Sequence, residues 1–168
     1  MHLVVMGVAG CGKSSVAARA AAALGLPVIE GDDFHSPGSV AKMQAGQALT
    51  DADRAGWLDR LAAELVSRPA GAVLSCSALK RSYRDRLRAA TPGLRFAFLQ
   101  LSREAALARV QGRPGHFFPA ALIDSQFATL EPPLAEAGVL VLDATAPLGE
   151  LDRRLSDWWS AQAAGLGG

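Results

Sequence analysis

The chain has 168 residues, half of them hydrophobic, and 17 basic against 16 acidic residues leave a formal charge of +1. That length fits one domain with a core of its own, and so much apolar content excludes wholesale disorder. Near-zero net charge excludes a protein held to nucleic acid or anionic membrane by bulk charge alone. The basic residues are skewed, with 14 Arg and only three Lys, at Lys13, Lys42 and Lys80.

In chain order, the apolar run 3–6 ends in glycines and reads as a buried strand. Residues 14–24 are Ala-rich and helix-forming, and Gly25 with Pro27 stops them. A short strand at 28–29 gives way to Glu30-Gly31-Asp32-Asp33. The pattern predicts helices over 38–46 and 53–67, the second opened by Asp51 or Asp53 as N-cap. Strand 72–76, helix 80–90, strand 94–101 and helix 104–111 follow. Gly112, Pro114 and Gly115 break the pattern before a helix over 119–128, a strand at 139–142 and a last helix around 148–163. Alternating strands and helices, with continuously apolar strands, predict a parallel sheet covered on both faces.

Cys11 and Cys76 make neither a disulfide framework nor a C-x-x-C metal site, and they fit a reducing, cytoplasmic compartment. No run reaches the ~18–20 apolar residues of a membrane helix. Val8-Ala9-Gly10-Cys11 superficially resembles a lipoprotein cleavage box. No basic segment precedes it, however, and the apolar stretch 3–8 is too short for a signal core.

Gly7-Val8-Ala9-Gly10-Cys11-Gly12-Lys13-Ser14 matches G-x-x-x-x-G-K-S/T, and it lies between a strand and a helix as the mechanism requires. Glycines let the backbone curl so that its N–H groups form an anion nest, and the helix that carries Ser14 and Ser15 adds its dipole. Lys13 would reach the β- and γ-phosphates and Ser14 would ligate Mg²⁺. The motif specifies a phosphate donor site and leaves the reaction open. No N-K-x-D segment reads a guanine base, and the strand ending Leu74-Ser75-Cys76-Ser77 lacks the carboxylate of large ATPases. The acidic cluster follows the second strand instead: Glu30, Asp32 and Asp33, then His35. A carboxylate there can orient a substrate hydroxyl and accept its proton while another holds magnesium waters. The bland alternative is a solvated acidic turn.

Nearly end to end, the chain resembles the gluconokinases, small P-loop kinases related to shikimate and adenylate kinases. The resemblance is carried by the P-loop, by Gly31-Asp32-Asp33-Phe34-His35, and by Lys42-Met43 with Gly46. Leu49-Thr50-Asp51-Ala52-Asp53-Arg54 with Trp57-Leu58 and Cys76-Ser77-Ala78-Leu79-Lys80 with Tyr83-Arg84 are its most specific blocks. Gly115-His116-Phe117-Phe118, Ser125-Gln126-Phe127 and Leu130-Glu131-Pro132 complete it. Glu30 stands where many members have Asp, and a longer side chain can still hold a magnesium water.

The resemblance implies a doubly wound, five-stranded α/β fold of the nucleoside-monophosphate-kinase type: one domain over 1–168, with an acceptor-binding helical part at 31–68 and a mobile lid at 109–130. It implies ATP:D-gluconate 6-phosphotransferase activity, with ATP and Mg²⁺, in a cytoplasmic homodimer that binds neither nucleic acid nor membrane. The expected catalytic residues are Lys13, Asp32, Arg109 and Arg113. Residues 7–15, Arg109, Arg113, Thr145 and Pro147 would seat the nucleotide, and Ser14 with Glu30 the metal. Asp32, His35, Lys42, Arg54, Lys80, Arg84, His116 and Gln126 would hold the acceptor. Arg54 beside Asp51 and Asp53 suits a polyhydroxy acid, or is a local ion pair at a helix start. Lys80 and Arg84 are four apart, so an anion or a neighbouring carboxylate would relieve their repulsion. A broken helix with Arg109 and Arg113 suits a lid that excludes water from the transferring phosphate. The open alternatives are a kinase of another small hydroxy acid or of a nucleoside monophosphate, and a nucleotide-binding switch with no acceptor.

Overall fold

The computed structural model describes residues 1–112 and 119–165. Five strands, β1 (Leu3–Met6), β2 (Val28–Glu30), β3 (Val73–Ser75), β4 (Arg95–Gln100) and β5 (Val139–Asp143), form one sheet in the order β2-β3-β1-β4-β5. Every pairing is parallel. Seven helices connect and flank them: α1 (Lys13–Leu24), α2 (Pro37–Gln44), α3 (Asp51–Val66), α4 (Arg81–Ala90), α5 (Arg103–Gln111), α6 (Ala120–Thr129) and α7 (Leu148–Gly165). A 3₁₀ turn over Gly31–Phe34 follows β2 directly.

Successive strand residues face opposite sides of a sheet, and the two cores divide accordingly. Leu3, Val5, Ala97 and Leu99 join Val16 and Ala17 of α1, Ala106 of α5, Ile123 of α6 and Leu155 of α7. Val4, Met6, Phe96 and Phe98 join Trp57, Leu58, Leu61 and Leu65 of α3 and Tyr83 and Leu87 of α4. The expected doubly wound α/β sheet with helices on both faces is therefore the fold found. No helix among the described residues is long and apolar enough to cross a membrane.

Several boundaries move for identifiable reasons. Thr50, and not Asp51 or Asp53, caps α3: its hydroxyl accepts from the Asp53 amide while Asp53 accepts from the Thr50 amide, a full capping box. Ser36 caps α2, so the helix starts at Pro37, where a missing N–H costs nothing. Lys80 is extended and stands just outside α4.

Arg84 corrects the expectation of an acceptor ligand. Its side chain is fully buried, donating to the carbonyls of Ala78 (2.7 Å) and Glu131 (2.8 Å) and pairing with Glu136 at 2.6 Å. Burial alone would raise the Glu136 carboxyl, but the bonds from Arg84 and Arg88 outweigh it and hold it below its ordinary value. Glu136 is the neighbouring carboxylate that Arg84 calls for, and Arg88 also reaches it and covers the Phe96 ring. The same bonds pin Ala78, at φ 46 the only non-glycine residue with positive φ among those described. That conformation costs about 1–2 kcal/mol.

Removing one partner of a buried pair leaves an uncompensated charge, at about 3–5 kcal/mol. Arg84→Met should lower unfolding stability in urea by that amount, and adding Glu136→Leu should recover part of it. Arg86→Ala, which breaks an exposed pair with Asp59, should leave the midpoint where it was. A midpoint unmoved by Arg84→Met would show that the pair contributes nothing to stability.

Candidate active site

The loop between β1 and α1 curls tightly. Gly12, the N-cap of α1, has φ 89, and a side chain at Gly7 would press on Cys11 Sγ at 2.7 Å. Only glycine meets both demands without strain. Lys13 is the first residue of α1, so the helix dipole and the ammonium group share one end. One residue on, Ser14 Oγ donates to Glu30 Oε1 at 3.1 Å and lies 3.5 Å from Ser75 Oγ. A hydroxyl and a carboxylate are hard oxygen donors, the set that suits Mg²⁺ when phosphates and water complete the shell. No group of three or more His, Cys, Asp or Glu side chains gathers among the described residues, so no all-protein metal cage competes with that arrangement. Both thiols are poor nucleophiles: burial raises Cys11, and it pushes Cys76 up to about 12.

Arg109, near the end of α5, fastens this loop to the segment after β5. Its Nη1 donates to the carbonyls of Gly10 and Cys11 at 3.2 and 3.3 Å, and its Nη2 to Ala144 at 2.8 Å. Thr145 is turned by Asp143, whose carboxylate accepts from its amide at 2.9 Å and its hydroxyl at 2.7 Å. Pro147, two residues on, leads into α7. Arg109 thus sits between the phosphate loop and residues 144–147, its fork spent on backbone carbonyls.

Beside the loop opens a cavity of about 360 Å³ that brings together Ala9, Lys13, Asp32, His35, Arg54 and Gln126. Asp32 stands on the 3₁₀ turn with two-thirds of its side chain exposed, 3.6 Å from His35 Nε2. Interaction with His35 holds its carboxyl below the ordinary value, with burial opposing and the Lys13 charge helping. His35 is stacked on Trp57 at 4.4 Å, and Trp57 Nε1 donates to the Gly31 carbonyl at 2.7 Å. Arg54 is only 8% exposed. Its Nη1 donates to the Leu49 carbonyl (3.0 Å) and the Tyr83 hydroxyl (3.4 Å), both neutral. Gln126, on α6, accepts from the Ala9 amide.

Lys42, Lys80 and Arg84 do not line the cavity. Lys42 pairs with Asp53 at 2.8 Å and Lys80 with Asp51 at 2.9 Å, while Arg84 is buried as described. Asp51 also accepts from the Tyr83 hydroxyl, which together with Lys80 holds its carboxyl low. Arg113 and His116 lie outside the described residues. Gln44, Trp57, Ser77 and Ser125 line the cavity without having been assigned a role, although all but Gln44 stand in the segments that carry the resemblance. Trp57 could have been found, since an indole in an amphipathic helix needs a partner for its N–H. Ser77 and Ser125 carry no such physical signal, only their place in those segments.

A family model described as an AAA domain matches residues 3–133. The chain is 52% identical to a gluconokinase of Gluconobacter oxydans over 135 residues, 78% of this chain and 75% of that protein. It superposes on the crystal structure of a gluconokinase from Sinorhizobium meliloti with a TM-score of 0.86 at 45% identity, covering 96% of each chain. An unliganded sugar kinase from Janibacter gives a TM-score of 0.89 at 42% identity, over 95% of this chain and 94% of that one.

The Lys42 ammonium, helped by the Thr50 amide, lowers the Asp53 carboxyl from 3.8 to about 2. A depressed carboxyl stabilises the fold fully above its unfolded value and loses that contribution as pH falls towards its folded one. The α2–α3 link should therefore be intact at pH 4 and half lost near pH 2. In Lys42→Met, carboxyl ¹³C shifts should show Asp53 titrating closer to 3.8. A value that stayed near 2 would assign the shift to the helix cap instead.

Proposed function

The chain belongs to the gluconokinase family, and we propose that it transfers the γ-phosphoryl group of ATP to the 6-hydroxyl of D-gluconate, releasing ADP and 6-phospho-D-gluconate. One observation carries the choice of acceptor: Arg54 is buried in the cavity wall with only neutral hydrogen-bond partners. A buried cation with no carboxylate bonded to it directly, Asp51 lying one step away beyond the Tyr83 hydroxyl, gains from an anionic ligand. Gluconate supplies one carboxylate for Arg54 and hydroxyls for the remaining polar lining. A nucleobase would need an exposed aromatic face, and Trp57 is 1% exposed.

On this reading the amides of the loop 7–15 and the Lys13 ammonium hold the β- and γ-phosphates. Ser14 and Glu30 hold Mg²⁺, which when bound neutralises charge on the transferring group. Asp32 accepts a hydrogen bond from the 6-hydroxyl and takes up its proton as the new P–O bond forms. Its lowered pKa makes it a weak base, so orienting the hydroxyl is its larger contribution. Arg109, Thr145 and Pro147 form the base-side seat, with Arg109 setting the distance between that seat and the phosphate loop. The charge-clamping role then falls to Arg113, within a lid over 109–130 that also supplies His116 and keeps water from the phosphate. Residues 31–68 act as the acceptor-binding part, where Lys42 and Lys80 tether its helices through Asp53 and Asp51. Two free thiols fit a cytoplasmic enzyme, and the family resemblance supports a homodimer.

A coupled assay of ADP release from Mg-ATP tests the acceptor. Gluconate should drive release, while shikimate, AMP and no acceptor should not; release independent of any acceptor would leave only an ATPase. Arg54→Met should raise the KM for gluconate at least ~10-fold, the worth of a charged hydrogen bond, and leave that for ATP unchanged. Asp32→Asn that retained near-full turnover would remove the base role and keep the kinase.

A further inference from the structure

The hydrogen bond from the Ala9 amide to Gln126 Oε1 is 2.6 Å long and joins the phosphate loop to α6 across 117 residues of sequence. A backbone N–H can only donate, so its partner is the oxygen of the Gln126 amide and not the nitrogen. That fixes the orientation of a group whose two ends otherwise look alike. With Oε1 on the loop, both N–H bonds of Nε2 remain, and no hydrogen bond from Nε2 to another described residue accompanies the Oε1 contact. Gln126 and Ala9 line the same cavity as Lys13 and Asp32. The cavity wall beside the phosphate loop therefore holds a donor pair whose direction is set by the loop itself.

We propose that Gln126, which the resemblance offers only as an acceptor contact, is a catalytic residue aimed by the phosphate loop itself. Its Nε2 donates to an oxygen of the reacting groups, while its Oε1, held by Ala9, keeps α6 in register with the phosphate loop. The inference rests on the kinase reading above. The oxygen belongs to the transferring phosphoryl group or to the acceptor hydroxyl, since both offer lone pairs at that place. A donor already aimed by the protein needs no reorganisation when charge develops, and one such donor is worth about 10²–10³ in turnover. A glutamine that served only as a brace would spend its nitrogen on a protein carbonyl. One that served only as a ligand contact would not need the loop amide.

Two variants separate the halves of this role. Gln126→Glu keeps an oxygen for Ala9 and removes both donors; Gln126→Leu removes oxygen and donors and adds no charge. In ¹⁵N-labelled protein without substrate, the Ala9 amide proton should keep its downfield position in Gln126→Glu and move upfield in Gln126→Leu. In the gluconate assay both variants should lose about 10²-fold in kcat with thermal midpoints close to that of the parent protein. A rise confined to the KM for ATP would assign the oxygen to the phosphoryl group, and one confined to the KM for gluconate to the acceptor hydroxyl. Parent-like turnover by Gln126→Leu would overturn the donor role, and an unmoved Ala9 amide in the same variant would overturn the link. Activity lost in step with the thermal midpoint would reduce the residue to a structural one and overturn both. If the parent protein fails to phosphorylate gluconate, the acceptor assignment falls, and the amide shift still judges the link.

Discussion

Because all five strands run parallel, their carboxyl ends share one edge, and every loop that can meet a ligand leaves from there. β1 lies in the middle of the sheet, so the loop after it has neighbours on both sides. On one side, β3 brings Ser75 to 3.5 Å from Ser14, and β2 beyond it brings Glu30 to 3.1 Å from the same hydroxyl. On the other, the chain after β5 reaches the loop through Arg109. A two-residue hairpin could not build this arrangement, since parallel strands need long crossovers. Those crossovers are the helices that carry Lys13, Arg54 and Arg109.

The cations are then sorted by what surrounds them. Arg19, Arg86 and Arg103 pair with Asp152, Asp59 and Asp124 on the surface, where such bonds contribute little. Arg84 and Arg109 are turned inward to carbonyls, a use that suits a planar fork with five donors. The three lysines lie at the phosphate loop or in ion pairs at the N-terminal end of α3. Among the described residues, Arg54 alone combines deep burial, a place in the cavity wall and neutral hydrogen-bond partners. On the proposed reading, the site's selectivity for an anion rests on that sorting more than on the net charge of +1.

The sheet, the two apolar faces and the phosphate loop were legible in the sequence because each rests on local pattern. Apolar runs mark strands, Ala-rich stretches mark helices, and glycine spacing marks the anion nest. Pairing across the fold was not legible. Lys80 and Arg84 are four apart and suggest one basic face, but Lys80 stands outside α4 and pairs with Asp51, while Arg84 turns inward to Glu136. Nothing near Arg84 in the sequence announces a carboxylate 52 residues away. Asp53 was legible as a helix-start residue, yet its place in the box depended on Thr50 three residues before it. Arg109 was found as a cation of interest, but its carbonyl partners carry no side-chain signature at all.

One helix ties the acceptor side of the cavity together. Arg54 and Trp57 are three residues apart on α3 and so lie on the same face. Arg54 faces the cavity directly, while Trp57 grips the Gly31 carbonyl and supports His35 by stacking. His35 in turn holds the Asp32 carboxyl below its ordinary value. On the proposed reading, the group that recognises a carboxylate and the group that meets a terminal hydroxyl are both set from one helical turn. The acceptor is then measured against α3, and a sugar acid of the wrong length would miss either Arg54 or Asp32. A weak base is sufficient under that geometry, because phosphoryl transfer depends mainly on the alignment of hydroxyl and phosphate.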